Sequence, residues 1–198
     1  NEPAHVAALL GVLSAGGTVV VINPGRGDDR TRADIEALRL PVLVGLAGDL
    51  TALAGDSDAT RIAISDLRTP PSVSEGTASD DPGRPGVAVR MLTSGTTGPP
   101  KRVDLTYDML ARSVIGADPE QAAAPTRVRS GVAIVNSPLV HVGGVFRVLL
   151  CIAEARPFVL LRRFDLELWA RAVREYRPRA TRVLLYRDSI DDVVGYIH

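Results

Sequence analysis

Apolar positions along the chain alternate between helix-like spacing and short continuous runs. Residues 3–15 place Val6, Leu9, Leu10 and Leu13 on one face of a helix, and two glycines follow at positions 16 and 17. Residues 18–22 (TVVVI) are then apolar on both faces, which is typical of a central parallel strand. The chain therefore begins with a predicted helix followed by a predicted strand.

The same alternation continues to residue 177. Helices are predicted over about residues 29–38, 105–114, 142–153 and 166–176, and strands over about residues 41–44, 61–65, 87–92, 131–135 and 158–161. Asp165 is expected to cap the last helix, with Phe164 packed on Trp169, and Trp169 and Tyr176 are expected to make core or subdomain contacts. Repeated βα units predict an α/β fold with a mostly parallel sheet flanked by helices.

Two polar segments interrupt this pattern near the middle of the chain. Residues 70–86 are rich in Pro, Gly and Ser and predict a linker-like loop. Residues 93–101 (TSGTTGPPK) are rich in hydroxyl groups and end in Lys101, the only lysine of the sequence. Lysine acts as a compact point charge toward phosphate. A strand is predicted before the segment and a helix after it, an arrangement that favours anion binding. An exposed turn remains the alternative.

Composition and charge narrow the classes of partner. With 198 residues and 45% hydrophobic content, the chain is long enough to bury a sizeable core. The formal net charge is zero, so neither nucleic acid nor an anionic membrane surface is expected as a partner. No apolar run approaches the roughly 20 residues of a membrane span, and no ligand spacing indicates a bound metal. Cys151 is expected to be a buried hydrophobe rather than a nucleophile, and the cytoplasm is the expected compartment.

The segment 93–101 is not a Walker A loop, because its glycines and lysine are spaced three apart. It resembles the phosphate-binding loop of the adenylate-forming superfamily, whose signature reads TSGTTGxPKG. The matching residues are Thr93, Ser94, Gly95, Thr96, Thr97, Gly98, Pro100 and Lys101. Arg102 and Tyr107 depart from the pattern, which usually has a small residue and a histidine there, and both are interpreted as drift.

Other stretches resemble the same superfamily in the same order. They are residues 1–24, residues 136–144 (NSPLVHVGG) with His141 in the histidine position, and residues 158–177. The resemblance implies that residues 1–181 are part of the N-terminal domain of an acyl- or aryl-CoA synthetase. Residues 182–198 weakly resemble the start of a CBS domain, which would make them a foreign segment of a fusion or engineered chimera, with an ordinary hairpin of a divergent ligase as the alternative.

The resemblance implies a reaction in two steps. A carboxylic acid, the small-molecule partner, attacks the α-phosphorus of ATP in the presence of Mg²⁺, and coenzyme A then takes the acyl group. Fatty acid metabolism is the expected setting. In this scheme the loop hydroxyls of Thr93, Ser94, Thr96 and Thr97 donate to phosphate, while Gly95 and Gly98 allow close approach and movement.

Two residues receive catalytic roles by the same resemblance. Lys101 would neutralise a phosphate oxygen, and His141 would lie near the acyl pocket and the α-phosphate, with a structural histidine as the alternative. The family's magnesium-binding Glu, adenine platform, ribose-binding Asp and second lysine lie in later motifs that this sequence does not contain. The chain is therefore expected to be inactive alone, as an excerpt of a ligase or as a non-catalytic α/β module.

Overall fold

The computed structural model describes residues 1–78, 84–93 and 101–178, and the backbone of residues 183–186 and 193–197. The helices are α1 Pro3–Ser14, α2 Asp28–Leu38, α3 Ala47–Leu53, α4 Tyr107–Val114, α5 Val142–Ala153 and α6 Leu166–Tyr176. The strands are β1 Val19–Val20, β2 Val42–Leu46, β3 Thr60–Ile64, β4 Ser72–Ser74, β5 Val87–Thr93, β6 Lys101–Thr106, β7 Ala133–Val135, β8 Phe158–Leu160, β9 Val183–Tyr186 and β10 Val193–Ile197.

The strands form mixed sheets with helices beside them, which confirms the α/β class. In the described residues, β1, β5 and β6 make one sheet in that order, with β1 parallel and β6 antiparallel to β5. A second sheet has the order β2-β3-β4, again with one parallel and one antiparallel pair. β7 and β8 pair in parallel. Parallel pairs thus connect βα units as expected, and antiparallel hairpins extend two of the sheets.

The largest departure from the predicted elements is β6. The sequence predicts that the loop ends at Lys101 and that residues 105 and 106 begin a helix, and it predicts no element for the residues between them. Residues 101–106 instead form a strand antiparallel to β5, with Met91 opposite Val103 and Val89 opposite Leu105. The period-two pattern explains the strand, because Val103 and Leu105 alternate with the polar Arg102 and Asp104. Helix α4 begins only at Tyr107, capped by the Thr106 hydroxyl, which accepts from the Met109 N–H at 3.1 Å.

Smaller differences concern the first half of the chain. The TVVVI run forms only the two-residue strand β1, which pairs with β5. In the part of the chain that the structure describes, β1 lies at the edge of its sheet, so the predicted central position is wrong. The predicted loop over residues 70–86 contains β4, whose residue Val73 lies opposite Ile62 of β3. Helix α3 was not predicted at all. Both missed elements are short, so their apolar pattern carries little periodic signal.

Helix α1 lies between two parts of the hydrophobic core. On one side Val6 packs with β7 and α5 residues, and on the other Leu9 packs with β5 and α5 residues. The first cluster contains Val6, Ala133, Val135, Val148 and Cys151. The second contains Leu9, Ala88, Val89, Met91 and Val145. The predicted apolar face of α1 is thus confirmed.

Cys151 is buried, as expected for a small hydrophobe. Burial raises the pKa of its thiol, with opposing effects from nearby arginines. Within the described residues, a thiol with a raised pKa in an apolar cluster is chemically inert.

Helix α6 is capped as predicted, because the Asp165 carboxylate accepts from the Leu168 N–H at 2.9 Å. Its apolar face is only partly covered. Trp169 is half-buried, but Tyr176 is 42% exposed and Phe164 is 59% exposed. Trp169 therefore lies partly in the core, whereas Tyr176 does not, and the subdomain contact predicted as its alternative stays a prediction.

Beyond α6, β9 and β10 pair as antiparallel strands. Both interpretations of residues 182–198, the ligase hairpin and the CBS-like strand and turn, accommodate such strands, so the origin of this segment stays a prediction. In the described part of the chain, no helix is long and apolar enough to cross a bilayer.

Candidate functional site

The two ends of the hydroxyl-rich segment are held together by the β5–β6 hairpin. Thr93 ends β5 and lies opposite Lys101, which begins β6. The Thr93 hydroxyl also donates to the Lys101 carbonyl oxygen at 3.0 Å. Residues 94–100, with the predicted phosphate donors Ser94, Gly95, Thr96, Thr97 and Gly98, lie outside the described residues. The structure thus describes the base of the loop and the position of its lysine.

This geometry bears on two expectations about the loop. The single hydroxyl hydrogen of Thr93 is used by the Lys101 carbonyl, so Thr93 closes the base of the loop in this structure, and its role as a phosphate donor stays a prediction. The N-terminus of α4 does not follow the loop directly, because the six residues of β6 intervene and span about 20 Å. The predicted order of strand, loop and helix is therefore wrong, and exposed Lys101 supplies the charge at this end of the loop.

Arg102, the residue after the lysine, has a defined structural role. Its guanidinium donates to the Val21 carbonyl oxygen at 3.1 Å through Nη1 and to the Asp34 carboxylate at 2.5 Å through Nη2. The Arg102 side chain is 11% exposed and that of Asp34 is 21% exposed. The side chain joins β6 to α2 and to the residue after β1, so this departure from the family pattern has a structural role that the sequence did not reveal.

Tyr107, the second departure from the family pattern, is also a structural residue. Its hydroxyl lies 2.7 Å from the Gly17 carbonyl oxygen and 3.1 Å from that of Leu13. One hydroxyl hydrogen can be shared between these two acceptors. The contact ties the start of α4 to the end of α1, where the Leu13 carbonyl also accepts from the Gly16 N–H at 3.0 Å. This departure too has a structural role that the sequence did not reveal.

Asp104 gives the hairpin a second set of ion pairs. Its carboxylate accepts from Arg90 Nε on β5 at 2.9 Å and from Arg84 Nη1 at 2.9 Å. Burial by itself would raise the pKa of Asp104, but the hydrogen bond and charge of Arg90, followed by those of Arg84, outweigh it and lower the pKa below its ordinary 3.8. Asp104 is thus ionised at neutral pH and holds β5 and β6 together on their polar face.

His141 occupies the loop between β7 and α5. It is the N-cap residue of α5, its side chain makes no capping hydrogen bond, and the residue is exposed. Its backbone closes a tight turn, with the His141 N–H donating to the Pro138 carbonyl at 3.0 Å. Gly144 allows this turn, because a Cβ there would lie 2.1 Å from the Pro138 oxygen. The exposed ring argues against a buried structural histidine.

Asn1 anchors the same loop from the other end of the sequence. Its side-chain Nδ2 donates to the carbonyl oxygens of Ser137 and Leu161, each at 3.0 Å, and its Oδ1 accepts from the Leu139 N–H at 2.7 Å. One amide therefore holds the segment before His141 and the residue after β8. Nothing in the sequence pattern distinguished this asparagine, because its three partners are backbone groups far along the chain.

The two candidate sites adjoin the same core cluster. That cluster contains Met91, two residues before Thr93, and Val145, four residues after His141. The Thr93–Lys101 junction and the His141 loop therefore both leave from elements packed against one another. Among the described residues, no group of three or more His, Cys, Asp or Glu side chains is placed to hold a metal ion.

Comparisons with known proteins identify the family of the chain. A family model described as "AMP-binding enzyme" matches residues 1–184. The protein "4-coumarate–CoA ligase-like 5" of Oryza sativa subsp. japonica is 28% identical over 197 aligned residues, which cover 88% of this chain and 35% of that protein. Syringomycin synthase SyrB1 of Pseudomonas syringae pv. syringae is 31% identical over 110 residues, covering 54% of this chain and 17% of that protein.

Solved structures share the fold. ATP-bound MatB from Rhodopseudomonas palustris superposes with a TM-score of 0.65 at 21% identity, covering 89% of this chain and 36% of that chain. O-succinylbenzoate coenzyme A synthetase (MenE) from Bacillus subtilis, solved with AMP, gives a TM-score of 0.64 at 16% identity, covering 90% of this chain and 45% of that chain. This chain spans about a third of the rice relative's length (35%). With the family model matching residues 1–184 of 198, the chain belongs to the AMP-binding, adenylate-forming enzyme family.

Proposed function

We propose that this chain supplies the phosphate-binding part of an AMP-forming acyl- or aryl-CoA ligase. In the first step a carboxylate oxygen attacks the α-phosphorus of ATP, forming an acyl-adenylate and releasing pyrophosphate. In the second step the thiol of coenzyme A attacks the acyl carbon and AMP leaves. The observation that carries the proposal is the Thr93–Lys101 junction, which closes a TSGTTGPPK loop within the matched family region.

The positive charge of Lys101 suits the adenylation step. Negative charge builds on the departing pyrophosphate, and positioned donors and cations stabilise such a transfer. Lys101 is exposed at the start of β6, where a phosphate oxygen can approach it. A charge-assisted contact of this kind contributes about 1.5 to 3 kcal/mol. Ser94, Thr96 and Thr97 remain the proposed hydroxyl donors of the same loop, with Gly95 and Gly98 allowing close approach, while Thr93 holds its base.

The proposed cofactors are ATP, Mg²⁺ and coenzyme A. A MenE structure from Bacillus subtilis is described as a complex with ATP and magnesium ion, and that protein is a coenzyme A synthetase. In the described residues no acidic cluster fits Mg²⁺, so no step is assigned to it here. His141, exposed at the N-cap of α5, is the proposed wall of the acyl pocket.

Exchange of labelled pyrophosphate into ATP tests the first step. We expect the isolated chain to give no carboxylate-dependent exchange, and the ligase polypeptide that contains it to give robust exchange. In that polypeptide, Lys101→Ala and Thr96→Ala should slow adenylation by about 10- to 100-fold, the equivalent of one charged contact. Thioester formation from preformed acyl-adenylate should change far less, because pyrophosphate has already left.

Arg112→Ala is the matched control for these variants, because it removes an exposed cation paired with Asp108 on α4. It should leave both half-reactions unchanged. Equal losses in the two half-reactions for Lys101→Ala would assign the loop a structural role. Nucleotide binding with no exchange in any longer polypeptide would favour a non-catalytic α/β module instead.

A further inference from the structure

Arg102 makes contacts that no neighbouring residue of β6 makes in the described structure. Side chains on a strand alternate between faces, so Arg102 points away from the face of Lys101. The sheet order β1-β5-β6 places β5 between β6 and the end of β1. Arg102 nevertheless reaches the Val21 carbonyl, 81 positions earlier in the sequence. Its side chain thus spans the adjacent strand and links both outer strands of this sheet.

The second contact fixes the guanidinium from another direction. Asp34 lies on α2 and accepts from Nη2, while the Val21 carbonyl accepts from Nη1. Two separate nitrogens of one planar fork are therefore held by two different elements. Lysine has a single ammonium on a flexible stem and does not reproduce this geometry. A pair with both side chains mostly buried is also less weakened by solvent than an exposed pair.

The backbone of Lys101 is restrained on both sides. On one side, the Thr93 hydroxyl donates to its carbonyl and the ladder pairs it with β5. On the other side, the adjacent residue is Arg102, held by Val21 and Asp34. The side chain of Lys101 itself is left exposed. The lysine thus has a restrained backbone and an exposed charged end.

We infer that Arg102 and Asp34 form a positioning pair that fixes Lys101 at the closing end of the phosphate loop. This inference rests on the proposed function for its consequence, because Lys101 must meet phosphate there. Arg102 acts through its neighbour rather than on phosphate, since its side chain is only 11% exposed and two of its guanidinium nitrogens are held by Val21 and Asp34. The resemblance identifies position 102 as a place for a small residue, and a small residue has no side chain that could make the two contacts of Arg102.

Two measurements on the 198-residue chain test the inference, using Arg102→Ala, Arg102→Lys, Asp34→Asn and the control Arg112→Ala. The first is amide hydrogen exchange at residues 101–103, compared with β2 and β3 as an internal reference. We expect Arg102→Ala and Asp34→Asn to speed exchange at 101–103 by about tenfold or more through local opening, with β2 and β3 unchanged. Arg102→Lys should give an intermediate result and Arg112→Ala none.

The second measurement is the dissociation constant for inorganic pyrophosphate by calorimetry. Arg102→Ala should weaken binding by about five- to tenfold, the size of a typical coupling between neighbouring sites. Lys101→Ala should weaken it more, and the double variant should be no weaker than Lys101→Ala alone, because Arg102 acts through Lys101. An additive loss in the double variant would mean that Arg102 binds phosphate directly and would overturn the inference.

The two readouts separate the inference from the proposed function. If the wild-type chain fails to bind pyrophosphate, the proposed phosphate role of the loop is wrong. Amide hydrogen exchange alone then decides whether Arg102 and Asp34 fix residues 101–103. Asp34→Asn changes the side-chain volume very little. If this variant leaves amide hydrogen exchange at residues 101–103 unchanged, the positioning role is overturned. If Arg102→Ala does not fold, Arg102→Lys and Asp34→Asn provide the same comparison.

Discussion

The side-chain oxygen of Asn1 accepts a hydrogen bond from the backbone N–H of Leu139 at 2.7 Å, across 138 positions of sequence. The same amide also donates to the carbonyl oxygens of Ser137 and Leu161. These hydrogen bonds fix the loop before His141 to the first residue of the chain. A small polar side chain thus fixes a candidate site residue without touching it.

Replacing Asn1 tests this relationship. We expect Asn1→Ala to lower the free energy of unfolding by about 2 to 3 kcal/mol, because it removes three hydrogen bonds and leaves partly buried backbone groups unpaired. Urea unfolding provides the measurement. Asn23→Ala is the control, because the Asn23 side chain makes one exposed contact with the Gly25 N–H. Equal effects of the two substitutions would contradict the anchoring role.

His141→Ala separates a pocket residue from a structural one. Because His141 is exposed and does not cap α5, we expect the melting temperature to stay within a few degrees of wild type. In the active ligase polypeptide, the preference among carboxylic acids of different size should change. A large fall in melting temperature with unchanged acid preference would remove His141 from the proposed site.

Tyr107→Phe removes the hydroxyl that joins α4 to the end of α1. The carbonyls of Leu13 and Gly17 lose this partner, so we expect a loss of about 1 to 2 kcal/mol in the free energy of unfolding. Tyr176→Phe is the matched control, because Tyr176 is exposed on α6. It should change stability by less than about 0.5 kcal/mol. No difference between the two variants would show that the Tyr107 hydroxyl makes no net contribution.

The lowered pKa of Asp104 predicts that the stability of the fold depends on pH. Its pKa is lowered in the folded state, so its contribution is fully present above its ordinary pKa of 3.8 and is lost as pH falls through the lowered value. Asp104→Asn should therefore destabilise the chain at pH 7, and the difference from wild type should shrink below about pH 4. Urea unfolding between pH 7 and pH 3 measures this.

Asp108→Asn serves as the comparison for Asp104→Asn, because Asp108 pairs with Arg112 on the exposed face of α4. Exposed pairs of this type contribute little. A constant difference between Asp104→Asn and wild type across this pH range would contradict the assigned ion pairs.

Local sequence determined the elements whose signals are local. The apolar spacing of α1 and α5 predicted their bounds closely, and Asp165 marked the start of α6, because helix periodicity and capping depend on residues within a few positions of one another. The motif of residues 93–101 identified the family, since a motif of consecutive residues is recognised from local sequence alone. These conclusions needed no knowledge of which segments pack together.

Tertiary structure decided the elements and roles that depend on distant partners. β6 forms because its backbone pairs with that of β5 in an antiparallel ladder. Its six residues are too few to distinguish a strand from the start of a helix by apolar pattern alone. Arg102 and Tyr107 looked like drift because their partners Asp34 and Gly17 lie 68 and 90 positions away. Hydrogen bonds between residues so far apart form only after the chain has folded, so the sequence pattern around each residue carries no trace of them.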